Sequence, residues 1–260
     1  MEITEAGGGY LSGLSLNIFR KSGSKAGEQD SVERDKPLTS FFCISDVHLR
    51  KGCTACSEAY DKGLENMKGI ARNASLINLG DMTDYGRQEE FEMVYTPIDK
   101  YFSDPSKVFC ALGNHDVRST KDWTNNRDDY KKNSPNNPYE QEIRQRYLEY
   151  NAKYRPGDKD AEKNVFYSKV IDGIKFIVLN TDEGLKDCTY FGPDQTAWLK
   201  AELKSSSKAN KPVFVINHQA LNDTHWRSNQ ISGFGEQDAE VKQILSQYPN
   251  VFYLSGHIHN

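Results

Sequence analysis

The chain has 260 residues, 37% of them hydrophobic, which suits one large domain with a substantial core and does not require two. Its formal charge of −4 and pI near 5.9 advertise no polyanion-binding surface, so nucleic acid is a disfavoured partner. No apolar run reaches the roughly 18 residues that cross a bilayer, and the opening MEITEAGGGY lacks the basic-then-apolar order of a secretory signal. The default expectation is therefore a cytoplasmic protein without a transmembrane segment, a missing upstream signal being the open alternative. Oligomeric state has no sequence correlate here.

Residues 1–38 mix Gly, Ser and charges, and the alternation of Leu14, Leu16 and Ile18 allows one edge strand, with disorder as the other reading of this extension. From Phe41 onward short apolar runs alternate with amphipathic stretches, an α/β rhythm that sets the main domain at 39–260. The runs at 41–44, 76–79, 108–112, 176–179, 213–216 and 251–254 read as buried strands. Helices are predicted over 58–70, 89–102, 141–154, 194–203 and 238–245; that opened by Pro193 and Asp194 is the clearest, with Trp198, Leu199 and Leu203 on one face. Asp172-Gly173 between two apolar stretches predicts a two-residue hairpin, so the sheet is not purely parallel.

The stretch 118–163 is polar, rich in Asn, Asp, Lys and Tyr, and interrupted by Pro135, Pro138 and Pro156. It is expected to be a surface insertion that adds little core, equally a lid or a solvated excursion. The five cysteines are odd in number, and Cys43 and Cys110 fall inside apolar runs, which argues against a disulfide scaffold. Cys53 and Cys56 form a CxxC with no second pair to complete a zinc set, so a plain surface loop is preferred over half a zinc site or a redox pair.

Nearly every predicted strand is followed by metal-capable residues: Asp46 and His48, Asp81 and Asp84, Asn114 and His115, Asn180, His218, then His257 and His259. Ligand sites of open α/β sheets form outside these carboxyl ends. Five of the six histidines sit there and only His225 lies elsewhere, a distribution chance would rarely give. In Asp46-Val47-His48 and His257-Ile258-His259, an extended backbone would turn both polar side chains to one side. Gly80, Gly113 and Gly256 each precede a ligand candidate and permit close backbone approach. Imidazole and oxygen donors without thiolates suit manganese, iron or zinc at a catalytic site.

Together, Asp46-Val47-His48, Gly80-Asp81-Met82-Thr83-Asp84, Gly113-Asn114-His115-Asp116, Asn217-His218 and Gly256-His257-Ile258-His259 resemble, in order, the motifs of the calcineurin-like metallophosphoesterase family, over about residues 40–260. The segment from Phe191 to Leu199 also resembles a stretch common in bacterial members. The resemblance implies a mixed β-sheet sandwich flanked by helices in four αββα layers. It implies two divalent ions: Asp46, His48 and His259 would hold one, Asn114, His218 and His257 the other, and Asp81 would bridge them. It further implies that His115 contacts phosphate and protonates the leaving oxygen, with Asp116 orienting it and Asp84 outside the ligand set. Family members usually continue past the last ligand pair, so a chain truncated at its C-terminus is also expected.

The activity implied is hydrolysis of a phosphate mono- or diester, of a small molecule, lipid or nucleotide, by hydroxide activated between two ions about 3.5 to 4 Å apart. A nuclease on the same centre is the nearest rival, resting on Arg118, Lys121, Arg127, Lys131 and Lys132, which Asp122, Asp128 and Asp129 dilute. A non-catalytic scaffold of the same fold is the alternative from another class, and a complete ligand set with His115 in place speaks against it. Walker-type GxxxxGK[ST], HExxH and GxSxG motifs are absent from the sequence.

Overall fold

A computed structural model describes residues 2–6, 13–19, 37–117, 124–206, 211–230 and 233–259. Its first sheet contains strands β1 (Glu2–Ala6), β2 (Gly13–Phe19), β3 (Pro37–Ile44), β4 (Ser75–Asn78) and β5 (Val108–Cys110), in that order. Strands β3, β4 and β5 run parallel, joined by helices α1 (Thr54–Ile70) and α2 (Gln88–Tyr101). The second sheet holds β6 (Tyr167–Ile171), β7 (Ile174–Val178), β8 (Val213–Ile216) and β9 (Val251–Leu254). Helices α5 (Pro193–Ser206) and α6 (Asp238–Leu245) make its parallel crossovers, while β6 and β7 form the antiparallel hairpin expected at Asp172-Gly173. Both turn residues have positive φ, 54° and 75°, the conformation that Asp-Gly tolerates.

Strand periodicity explains the layering. On β3, Phe42 and Ile44 point to the helices, packing with Tyr60 and Leu64 of α1 and Phe91 and Val94 of α2. Phe41 and Cys43 point the other way, into an apolar layer shared with Phe176, Val178, Phe214 and Ile216 of the second sheet. Ile177 and Val215 then face Leu199 and Leu203 of α5 and Val241 and Ile244 of α6. The result is helices, sheet, sheet, helices, as expected. Among the described residues, no helix is long and apolar enough to cross a membrane.

Three expectations need correction. The extension contributes two strands where one was predicted: β1 pairs with β2, and β2 pairs antiparallel with β3, with Leu14 opposite Cys43. The polar stretch is a layer of the core over its described second half. After α3 (Arg127–Asn133), a π-helical turn (Tyr139–Ile143) leads into α4 (Arg144–Ala152), and Tyr139, Ile143, Tyr147, Leu148 and Tyr154 are all buried in the first core cluster. Tyrosine makes this possible by burying a ring while its hydroxyl finds an acceptor: Thr181 O, Cys110 O and Asp99 Oδ1, each at 2.7 Å, for Tyr139, Tyr147 and Tyr154. Finally, Cys53 and Cys56 are joined in a disulfide at the start of α1. Cys43, Cys110 and Cys188 are buried.

Candidate metal centre

Five strand ends, from both sheets, converge on one cluster: Asp46 and His48 after β3, Asp81 and Asp84 after β4, Asn114 and His115 after β5, His218 after β8, and His257 and His259 after β9. The ends of β3 and β4 are held together beyond the regular ladder, Asp46 N–H donating to Gly80 O and His48 N–H to Asp81 O, both at 3.0 Å. The expectation of an extended backbone at the DVH and HIH motifs is not met. Asp46, His48, Asp81, His257 and His259 have φ of 56°, 50°, 52°, 73° and 47°, so both residues of each pair lie in the left-handed region. Such conformations are costly for residues with a Cβ and persist where the surroundings enforce them, typically at functional sites. The glycines act as expected. A Cβ on Gly113 would stand 2.1 Å from Asp81 Oδ1, and one on Gly256 1.8 Å from Ser45 Oγ and 2.8 Å from Asp46 Oδ2.

The donor atoms fall into two groups. In the first, His259 Nε2 is 3.2 Å from His48 Nε2 and 3.3 Å from Asp46 Oδ1. In the second, His218 Nε2 is 3.2 Å from Asp81 Oδ2 and 3.3 Å from His257 Nδ1, which in turn is 3.0 Å from Asn114 Oδ1. Asp81 clusters both with His48 and His115 and with His218 and His257, and His218 Nε2 lies 4.0 Å from Asp46 Oδ1. The shared carboxylate makes the two groups neighbours.

These separations fit cations. Ligands at about 2.1 Å from a divalent ion are about 3.0 Å apart along an octahedral edge and about 3.4 Å along a tetrahedral one. Two imidazole nitrogens facing each other at 3.2 Å can share at most one proton, whereas a cation satisfies both lone pairs. His48 Nδ1 is buried without a hydrogen-bond partner, an arrangement that a protein normally avoids. His218 Nδ1 lies 2.9 Å from the carbonyl of Leu79, which can only accept, so Nδ1 carries a proton and Nε2 is the nitrogen left to bind a cation once its own proton is released. The donor set therefore fits two divalent ions.

Electrostatics inside the cluster is dominated by mutual compensation. Burial disfavours charge on His218, yet the Asp81 carboxylate outweighs it and lifts the imidazole to about 9. Burial likewise opposes ionisation of Asp81, but His218 holds its carboxyl well below the usual range. Asp46 is lowered in the same way, against its burial, by its bond to His259. His259 is raised by that bond, while burial lowers His48. Protons thus gather where cations would bind.

His115 is anchored beside the donors by its N–H, which donates to Asp81 Oδ1 at 2.7 Å. Its ring Nδ1 is 3.2 Å from both the carbonyl oxygen and Oδ1 of Asp84, and Arg50 Nη1 stands 3.6 Å from the other oxygen of that carboxylate. The expected orientation of His115 by Asp116 is replaced by orientation from Asp84. Asp116 turns its carboxylate to Thr83 and Gly113. Asn180 also leaves the candidate set: its Oδ1 accepts Leu112 N–H at 2.6 Å and its amide donates to Tyr147 Oη and Val165 O, well inside the fold. Sequence reasoning missed Arg227, which donates through Nη1 to the carbonyl of His259 and ties the β8–α6 loop to the cluster. The only sequence signal would have been an arginine beside a tryptophan in an otherwise polar loop.

The calcineurin-like phosphoesterase family matches residues 39–260. The chain belongs to that family. No curated protein matches the sequence. Among solved structures the chain is similar to a dimetal phosphatase from Danio rerio, with a TM-score of 0.60 and 14% identity over 86% of this chain and 82% of that one. It is also similar to a purple acid phosphatase from yellow lupin (Lupinus luteus), with a TM-score of 0.47 and 13% identity over 96% of this chain and 43% of that one. At 14% identity the likeness to the dimetal phosphatase concerns the fold.

Proposed function

We propose that this protein hydrolyses a phosphate mono- or diester at a centre of two divalent ions, manganese, iron or zinc. The first ion would be held by Asp46, His48 and His259, the second by Asn114, His218 and His257, with Asp81 between them. Divalent ions bound there supply Lewis acidity toward phosphoryl oxygens and make hydroxide available near neutral pH. The observation that carries this reading is the pair of donor groups at coordination-edge spacing, joined through one buried carboxylate.

The remaining chemistry belongs to the protein. His115 stands beside the donors with its backbone fixed by Asp81 and its ring held by Asp84, placed to deliver a proton to the departing alcohol oxygen. The nuclease reading loses support from the basic stretch, since Arg127 is paired with Glu183 and Glu236, and Lys132 with Asp129. The test is hydrolysis of a chromogenic phosphate monoester and a diester by metal-stripped protein, before and after addition of manganese, iron or zinc. Turnover restored by metal and lost at least about 100-fold in Asp81→Asn is expected. Two bound ions without turnover of either ester would overturn the proposal.

A further inference from the structure

Beside the metal centre, the loop between β8 and α6 presents an indole to water. Trp226 is 72% exposed, the most exposed large hydrophobic side chain among the described residues. Leaving a tryptophan in water forgoes a large burial gain, so such exposure calls for a reason. Loose packing of the loop is not the reason. Asp223 and Asn229 bond reciprocally at 2.9 and 2.6 Å, Thr224 Oγ1 donates to Leu221 O at 2.6 Å, and Ser228 Oγ donates to His225 O at 2.7 Å. These side-chain bonds close the loop on itself and fix the backbone that carries the indole.

The loop is also moored to the centre. The Arg227 guanidinium carbon lies 5.6 Å from the Trp226 ring centroid, and the same guanidinium donates to the carbonyl of His259. One bond length and one hydrogen bond separate those two contacts, so the indole lies within about 10 Å of that carbonyl. A phosphoester seated at the centre would bring its alcohol portion within reach of the ring. The neighbouring cation favours an electron-rich face toward Arg227 and leaves the rest of the indole for a ligand.

Building on the phosphoesterase reading, we infer that Trp226 is a stacking platform that selects phosphoesters whose alcohol portion carries a planar ring, as a nucleoside or an aryl group does. Stacking of a base on an aromatic side chain is sequence-tolerant and strong enough to set KM. Trp226 is thus a specificity-determining residue that touches the non-phosphate part of the substrate, and Arg227 positions it.

The experiment compares nucleoside and glycerol phosphates, as monoesters and diesters, on metal-loaded wild type, Trp226→Ala and Trp226→Phe. Trp226→Ala is expected to raise KM about 10-fold for the ring-bearing esters, with kcat and the glycerol esters unchanged, and Trp226→Phe to restore most of the difference. An equal change for both ester types, or none, overturns the inference. Quenching of tryptophan fluorescence by a nucleoside phosphate, present in wild type and lost in Trp226→Phe, reads the contact without turnover. If no ester is hydrolysed, the phosphoesterase reading fails by itself, and the presence or absence of that quenching still decides the role of Trp226.

Discussion

Asp116 binds Thr83 twice through one oxygen: its Oδ1 accepts the Thr83 N–H at 2.8 Å and the Thr83 hydroxyl at 2.7 Å. Its other oxygen accepts Gly113 N–H at 2.9 Å, so the buried carboxylate fastens the loop after β4 to the loop after β5. Burial and the nearby Asp81 charge push this carboxyl up to about 6, the cost of a structural anion placed beside another. Asp116→Asn would turn an amide donor toward one of three donors that now meet acceptors. The expected outcome is a loss of about 1 to 3 kcal/mol in denaturant unfolding of the metal-free protein. Unchanged stability would show that these bonds are dispensable.

His115 and Asp84 form the pair whose loss should be chemical. Asp84→Asn and His115→Asn are expected to keep both ions, counted by elemental analysis, while turnover falls about 100-fold to 10,000-fold for His115→Asn. The loss should be greatest for alkyl esters and small for a nitrophenyl ester, whose leaving group needs no proton. An equal loss on both ester types would remove His115 from the proton-delivery role.

Much of this site was legible because histidine and aspartate placement at strand ends is a property of the sequence itself. The convergence of Asp46, His48, Asp81, Asn114, His218, His257 and His259 required only that each apolar run be a strand. What could not be read was local backbone conformation, since nothing in DVH or HIH distinguishes an extended pair from the left-handed pairs found at Asp46 and His48 and at His257 and His259. The partner of His115 was also hidden, because Asp84 and Asp116 are equally acidic in sequence and differ only in which donors the fold places near them. Composition misjudged the stretch around Tyr139 and Tyr147, where tyrosine behaves as core once its hydroxyl finds a carbonyl.

Gly113 tests how tightly Asp81 is seated. A methyl group there would lie 2.1 Å from Asp81 Oδ1 and 2.3 Å from Asp81 N, closer than any packing permits. Gly113→Ala should displace the carboxylate and weaken metal binding by at least about 10-fold, as loss of metal-site support typically does. Calorimetric titration with wild-type affinity would refute this.

With His218 as a ligand, as proposed, metal uptake should be a proton exchange. In the metal-free protein its pKa is raised to about 9, whereas a ligand imidazole must be free at Nε2. Below pH 9, filling the second group of donors therefore expels a proton from His218, and affinity should rise up to about tenfold per pH unit until it levels off near 9. Calorimetry in buffers of different ionisation heat measures the released protons directly. Identical heats in all buffers would contradict the exchange.

Lys169 offers a test remote from the metals. Its Nζ donates to the carbonyls of Val108 and Tyr154 and lies 4.0 Å from the Phe109 ring centroid, and burial lowers its pKa from 10.5 to about 7. Between those values the unfolded chain binds more protons than the folded one, so this group makes stability rise with pH. Its unfavourable contribution is complete below pH 7 and vanishes above 10.5. Relative to Lys169→Met, wild type should therefore gain on the order of 2 kcal/mol between pH 6 and pH 10, a figure reduced for the carbonyl bonds and residual solvent contact. Since the variant lacks the carbonyl bonds at every pH, the slope of the difference, measured by denaturant unfolding, is the diagnostic quantity. A difference that stays flat across this range would mean that Lys169 remains charged in the fold.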